Sequence, residues 1–172
     1  MIRLRTAAEL EKMKKACEVS AGALAAGGRA VKPGATTADI DKAVYDYIVA
    51  HGGKPNFKGY GGFPGSACVS LNDTVIHGIP TGDIILQEGD IVSVDTGAIV
   101  DGYHGDNAYT FPVGQVSETA QRLMAVTKAS LYEGIKASLA GNRIGDIGHA
   151  VQSYVEKEGF SAVRQFVGHG VG

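Results

Sequence analysis

The sequence predicts an α+β fold built from two related halves, each a pair of helices followed by a sheet, with the second half incomplete. Apolar residues recur at helical spacing in two separate pairs of segments, and short strand-like segments lie between the pairs. A shift of 107 positions also brings the second helical pair onto the first, matching Gly34 with Gly141 and Asp39 with Asp146. Because glycine and aspartate match as well as the apolar positions, the repeat indicates duplication rather than a chance likeness of amphipathic helices.

Length and composition fit one ordinary globular domain. The chain has 172 residues, 44% apolar and 20% charged. We interpret it as a single catalytic-type domain, with residues 1–115 as the first half and 116–172 as the start of the second. A net charge of −2 gives no basic patch for nucleic acid or anionic lipid. With no membrane-length apolar run and no disulfide framework, we expect a cytoplasmic protein without nucleic-acid or membrane partners.

Two helices are predicted near the start of the chain. Thr6 to Glu9 has the pattern of a capping box, and the helix that follows is expected to end at Gly27-Gly28. Either Thr36 or Thr37 can cap the second helix, which Gly52-Gly53 should end.

A glycine- and aromatic-rich loop and then a sheet are predicted next. The dipeptide Asp101-Gly102 favours a two-residue type I′ hairpin, because both of its turn positions require positive φ. That turn pairs Val100 with Tyr103, and therefore Gly97 with Asp106. The predicted strands are residues 67–71, 75–79, 91–99 and 103–111.

The second half begins with another helical pair. Ser117 can cap the third helix, Gly141 precedes the fourth, and Gly159 ends it. We expect Ala162 to Val167 to form a last strand.

Two aspartates of the predicted hairpin indicate a metal site. Asp95 lies two residues from Gly97, on the same face as Asp106, so the two carboxylates are diagonal neighbours, typically ~7–8 Å apart between backbones. Two like charges on a half-buried face are costly without a counter-charge, and a divalent cation with oxygen ligands removes that cost. Ordinary turn or edge residues are the alternative interpretation of the pair.

The five histidines differ in how well their surroundings suit chemistry. His51 and His149 lie within predicted helices and are more simply structural or surface residues. His104 shares the face of the aspartates but is equally well explained by packing. His77 and His169 are next to glycines, which let a substrate or metal approach closely.

The combined pattern resembles the type I methionine aminopeptidases. It consists of His77-Gly78-Ile79-Pro80, then Asp95 and Asp106 eleven residues apart, then Gly168-His169-Gly170. The resemblance implies a pita-bread (creatinase/aminopeptidase-like) fold and a metal-dependent hydrolase that removes the N-terminal methionine from nascent polypeptides. It also implies two divalent ions, Co, Mn, Fe or Zn, that activate a water molecule.

The same resemblance assigns roles to individual residues. Asp95, Asp106 and His169 are implied to be metal ligands, and His77 to be the catalytic histidine near the scissile amide. The implied methionine side-chain pocket contains Tyr60, Phe63 and Cys68, with His77 also contacting the substrate.

Members of that family carry a further histidine and two glutamates after the glycine-histidine-glycine segment, and these lie outside the 172 residues. We therefore expect an incomplete metal site, weak metal binding and little or no peptidase activity from the chain alone. A non-catalytic fragment or binding module that self-associates through an exposed edge is one alternative. An aspartic protease-like enzyme is another, because Asp95-Thr96-Gly97 matches the active-site motif of that class.

Overall fold

The computed structural model describes residues 4–171, and its first helix, α1, spans Ala7–Ala30. The predicted capping box is confirmed, since Thr6 Oγ1 accepts the Glu9 N–H and the Glu9 carboxylate accepts the Thr6 N–H at 2.8 Å. The expected end at Gly27-Gly28 is wrong. A Cβ atom at Gly27 would lie 2.9 Å from Val44 Cγ2, so this glycine allows close packing of the next helix instead of ending α1.

The second helix, α2, spans Thr37–Ala50 and is capped by Thr36 rather than Thr37. The Thr36 hydroxyl accepts the Asp39 N–H at 3.2 Å, and the Asp39 carboxylate accepts the Thr36 N–H in return. Thr37 is fully buried, and its hydroxyl joins α2 to Thr81 of a later loop.

Four antiparallel strands form one sheet around a central strand. The strands are β1 (Lys54–Pro55), β2 (Ala67–Leu71), β3 (Ile91–Val100) and β4 (Tyr103–Pro112). Strand β3 pairs with β4 along one edge and with β1 and β2 in succession along the other. A short 3₁₀ turn, Tyr60–Gly62, lies in the loop between β1 and β2.

Helices α1 and α2 cover one face of this sheet. Alternate residues of β3 point into the core, including Val92, Val94 and Ala98, each with no exposed surface. They pack with Ile40 and Val44 of α2 in a single apolar cluster. The intervening residues of β3 face away from the helices, and that second face carries the candidate site.

Two predicted strands are not strands in the structure. The segment Val75–Ile79 is irregular because His77 has a φ of +59°, which an extended chain does not allow. The segment Ala162–Val167 is also irregular, since it pairs with no strand within residues 4–171. Alternating apolar residues alone do not make a strand without a neighbour for the backbone hydrogen bonds.

A second compact unit, Ser117–His169, contains helices α3 (Glu118–Ala137) and α4 (Ile144–Lys157). Ser117 caps α3, as predicted, with its hydroxyl accepting the Ala120 N–H at 3.2 Å. The division into halves at residue 115 stays a prediction. Among the described residues, no helix is both long and apolar enough to span a membrane.

The internal repeat is confirmed in the geometry of the two helical pairs. Adding 107 to the bounds of α2 gives those of α4, and α1 and α3 end 107 residues apart. The helix contact repeats as well, because a Cβ at Gly134 would lie 2.9 Å from Val151 Cγ2, the counterparts of Gly27 and Val44.

Candidate metal and substrate site

The hairpin places Asp95 and Asp106 on the same face of the sheet. Asp95 pairs with Ala108 of β4, and Gly97 pairs with Asp106, as the sequence predicted. Since Asp106 precedes Ala108 by two residues, both aspartates lie on the face turned away from the core, in diagonal positions. On the other side of β3, Asp95 pairs with Cys68 of β2.

The register depends on the turn between β3 and β4. Asp101 and Gly102 have φ values of +50° and +81°, the positive pair that a type I′ turn requires. Lys15 of α1 holds the turn from outside through a 3.2 Å ion pair with Asp101. A two-residue turn therefore fixes which face each carboxylate occupies.

Three carboxylates lie close enough to Cys68 to affect its thiol. Burial is the largest cause that raises the pKa of its thiol to about 11, and the carboxylates of Asp95, Asp106 and Asp41 raise it further. Both hairpin carboxylates therefore act on one buried thiol. At neutral pH the thiol is therefore protonated, and a protonated thiol is a poor nucleophile.

The carboxylate pair fits a divalent cation as a partial ligand set. Carboxylate oxygens are hard donors of the kind that such ions prefer, and Asp95 Oδ1 is buried from solvent. Within residues 4–171, no three His, Cys, Asp or Glu side chains are grouped so that they could hold a metal. His169 belongs to the second compact unit, and its role as a third ligand stays a prediction.

His77 lies on an exposed loop that is attached to the outer edge of β2. Its neighbour Gly78 accepts the Val69 N–H at 2.9 Å and donates its own N–H to Ser70 Oγ at 3.1 Å. The backbone of His77 is left-handed, which is uncommon for a residue with a side chain. The catalytic role of His77 stays a prediction.

The predicted pocket residues differ in exposure. Tyr60 is 83% exposed, Phe63 is half-buried and Cys68 is buried. The two aromatic residues belong to one turn, in which the Phe63 N–H donates to the Tyr60 carbonyl at 3.0 Å. Their contact with a methionine side chain stays a prediction.

Asn56 lies beside the face that carries the aspartates, a placement that the sequence did not predict. Its Nδ2 lies 3.0 Å from Nδ1 of His104, which shares the face of the aspartates. Its backbone N–H donates to the Gly97 carbonyl, and a Cβ at Gly97 would lie 2.9 Å from Asn56 Nδ2. No motif or spacing in the sequence links positions 48 residues apart, so only the fold reveals this pair.

Known proteins resemble the chain over its whole length. Residues 11–172 match Metallopeptidase family M24. The methionine aminopeptidase of Clostridium acetobutylicum is 48% identical over 172 residues, which is 100% of this chain and 69% of that relative. The chain belongs to the methionine aminopeptidases of metallopeptidase family M24. Methionine aminopeptidase 1 of Bacillus subtilis is 46% identical over the same share of each protein.

Solved structures of the family have the same fold. A crystal structure of methionine aminopeptidase from Thermotoga maritima matches with a TM-score of 0.96 and 44% identity, over 99% of this chain and 69% of that one. Prolidase from Pyrococcus furiosus matches with a TM-score of 0.80 at 20% identity, which shows likeness of fold alone. The fold is therefore the pita-bread fold that the motifs implied.

Proposed function

We propose that this chain removes the N-terminal methionine from peptides by metal-dependent hydrolysis, at a low rate when it acts alone. Membership of the methionine aminopeptidases supports the reaction. The single observation that carries it to particular residues is the register of the hairpin, which puts Asp95 and Asp106 on one face. The low rate is expected because Asp95, Asp106 and His169 are fewer ligands than a closed two-metal site needs.

In this proposal each residue has a distinct task. Asp95 and Asp106 hold divalent cations, and His169 is the third proposed ligand. When bound, such ions act as Lewis acids and make water a better nucleophile at neutral pH. His77 hydrogen-bonds the scissile amide from its exposed loop, and the protonated thiol of Cys68 presents an apolar surface to the methionine side chain.

A sensitive assay of methionine release tests the proposal. The purified chain is incubated with a methionyl peptide and Mn²⁺, or with chelator. We expect slow release that requires metal and is lost in Asp106→Asn and in His77→Ala. Asp101→Asn is the matched control, because it changes an aspartate of the same hairpin whose positive φ asparagine also tolerates. Release that persists in chelator would contradict the proposal and favour metal-independent, aspartic protease-like chemistry. Release that persists in Asp106→Asn would contradict the proposed role of that carboxylate.

We also propose that the helices of the second unit associate with a second copy of the chain. Leu131 and Ile135 of α3 are 57% and 55% exposed, whereas Leu24, the counterpart of Leu131, packs against the core of the first unit. In the first unit a sheet covers the equivalent helix surface. Exposed apolar residues on two neighbouring turns of α3 therefore favour a partner with an apolar face, and a second copy supplies one.

A further inference from the structure

The loop that carries His77 is fixed to the rest of the molecule on both sides of the histidine. After it, the Thr81 N–H donates to Thr37 Oγ1 at 2.9 Å, and that hydroxyl donates to the Thr81 carbonyl. Before it, the Thr74 N–H donates to the Leu71 carbonyl at 2.9 Å at the end of β2. The segment between these anchors is irregular, so other contacts must set the backbone at His77.

Those contacts are concentrated at the next residue, Gly78. Its carbonyl accepts the Val69 N–H, and its N–H donates to the hydroxyl of Ser70. A Cβ at Gly78 would collide with the Val69 carbonyl oxygen, so only glycine fits this close against β2. Both hydrogen-bonding groups of Gly78 are therefore used to dock the loop on the strand.

Ser70 is itself held rigidly. It is 4% exposed and pairs with Ser93 of the central strand, on the face that carries Asp95. A hydroxyl buried on the face of a paired strand has few positions to adopt, so the N–H that it accepts is fixed in direction. That N–H belongs to the peptide that joins His77 to Gly78, and its direction is determined partly by the backbone angles of His77.

We propose that Ser70 is a positioning residue that holds His77 in its left-handed conformation, with φ at +59°, at the edge of β2. The peptide hydrogen bond to Ser70 offsets the steric cost of positive φ at a residue with a side chain. The Cα–Cβ bond of His77 is thereby fixed in direction before substrate arrives. The benefit to catalysis rests on the proposed function, whereas the backbone claim does not.

A double-mutant cycle tests the backbone claim without any need for activity. His77→Gly and His77→Ala are compared by denaturant unfolding in the wild-type and Ser70→Ala backgrounds. With Ser70 present, we expect glycine to be the more stable, by about fivefold in the unfolding equilibrium constant, because it adopts positive φ without steric cost. In Ser70→Ala the glycine advantage should shrink or reverse, since alanine is favoured where φ is free to become negative.

Ser93→Ala is the matched control for this cycle. It removes a serine hydroxyl from the adjoining position of the same sheet face, where Ser93 Oγ bonds Thr110 Oγ1 at 2.8 Å. In the Ser93→Ala background, His77→Gly should remain more stable than His77→Ala. An equal glycine advantage with and without Ser70, or alanine as stable as glycine in the wild-type background, would overturn the proposal.

Activity gives a second readout in preparations that release methionine. Ser70→Ala should lower kcat more than it changes KM, because it loosens the histidine without removing a substrate contact. Ser70→Thr keeps the hydroxyl and should restore kcat. If no variant releases methionine while the cycle gives the expected result, the proposed function fails and the role of Ser70 in the backbone stands.

Discussion

The alternation of side chains along β3 decides on which face of the sheet the Asp95 carboxylate lies. Its neighbours Val94 and Thr96 point into the core with no exposed surface, and Asp95 points to the other face with Cys68 beside it. A shift of one residue in the hairpin would bury Asp106 against the helices instead. The turn at Asp101-Gly102 prevents that shift, so a two-residue signal in the sequence was enough to predict the placement of both carboxylates.

Cys68 should make the folded chain less stable as the pH becomes alkaline. Its folded pKa of about 11 lies above the ordinary value of 9.0, so the fold favours the protonated thiol. The stabilisation is therefore complete below about pH 9 and is lost as pH rises towards 11. We predict that, in chelator, Cys68→Ala loses less stability over this interval than the wild-type chain does, measured as Tm against pH.

Cys17→Ala is the control for that comparison, because it removes a cysteine but leaves Cys68 in place. Every lysine and tyrosine is common to all three proteins, so their contributions to the pH dependence cancel in the difference. Parallel Tm profiles for the wild-type and Cys68→Ala chains would show that the thiol is not held in its protonated form.

Some residue-scale features could not be predicted from the sequence. The positive φ of His77 depends on the docking of Gly78 on β2, which is a tertiary contact without a local signature. The same is true of the contact between Asn56 and His104, which only the paired strands bring together. Local periodicity instead suggested a strand at Val75–Ile79, and tertiary contacts overrode it.

At the scale of elements, both helical pairs have a close glycine–valine contact, but the residues around that contact differ in burial. Gly27 meets Val44 and Ile40, which have no exposed surface, so a methyl group there has no room. The equivalent Gly134 meets Val151 and Ile147, which are only half-buried. The two helical pairs have the same close contact, but the second unit should tolerate an added methyl group better than the first.

We predict that Gly27→Ala destabilises the chain and that Gly134→Ala does not. Overpacking a core costs about 1–3 kcal/mol, which exceeds or offsets the gain of about 1 kcal/mol in helix propensity. At Gly134 the neighbours can move, so the propensity gain should leave stability unchanged or raised. Denaturant unfolding of the two variants checks this, and equal effects at both glycines would contradict it.

Asp41 links α2 to the start of β2. Its Oδ1 accepts the backbone N–H groups of Ser66 and Ala67 at 2.6 and 2.8 Å. We predict that Asp41→Ala costs about 1–3 kcal/mol, because two partly buried N–H groups lose their acceptor. Asp46→Ala, at an exposed position of the same helix, is the control and should cost well under 1 kcal/mol in denaturant unfolding. A neutral Asp41→Ala would show that β2 is held by sheet pairing alone.

At the scale of the whole molecule, the repeat was predictable because it includes glycine and aspartate residues. An amphipathic helix does not require these residues, so their match is not expected by chance. Gly34 matches Gly141 and Asp39 matches Asp146 in the sequence, and the helices match in their bounds in the structure. The last strand predicted from the sequence is wrong, because a strand exists only where another strand pairs with it. Ala162–Val167 has the composition of a strand but no such pairing within residues 4–171.

The exposed apolar surface of α3 should make the chain self-associate. We predict that its sedimentation coefficient rises with protein concentration and that Leu131→Gln with Ile135→Gln reduces the rise. Leu10→Gln, at a residue 53% exposed on α1, is the control and should leave it unchanged. A monomer at every concentration would contradict this prediction.

Calorimetric titration of the purified chain with Mn²⁺ tests the central claim most directly, namely that Asp95 and Asp106 share a cation on one face of the hairpin. The account predicts saturable, weak binding that falls at least tenfold in Asp95→Asn and in Asp106→Asn. It also predicts wild-type affinity in Asp101→Asn, the turn aspartate of the same hairpin. Equal affinity in all four proteins, or no binding in any of them, would contradict it.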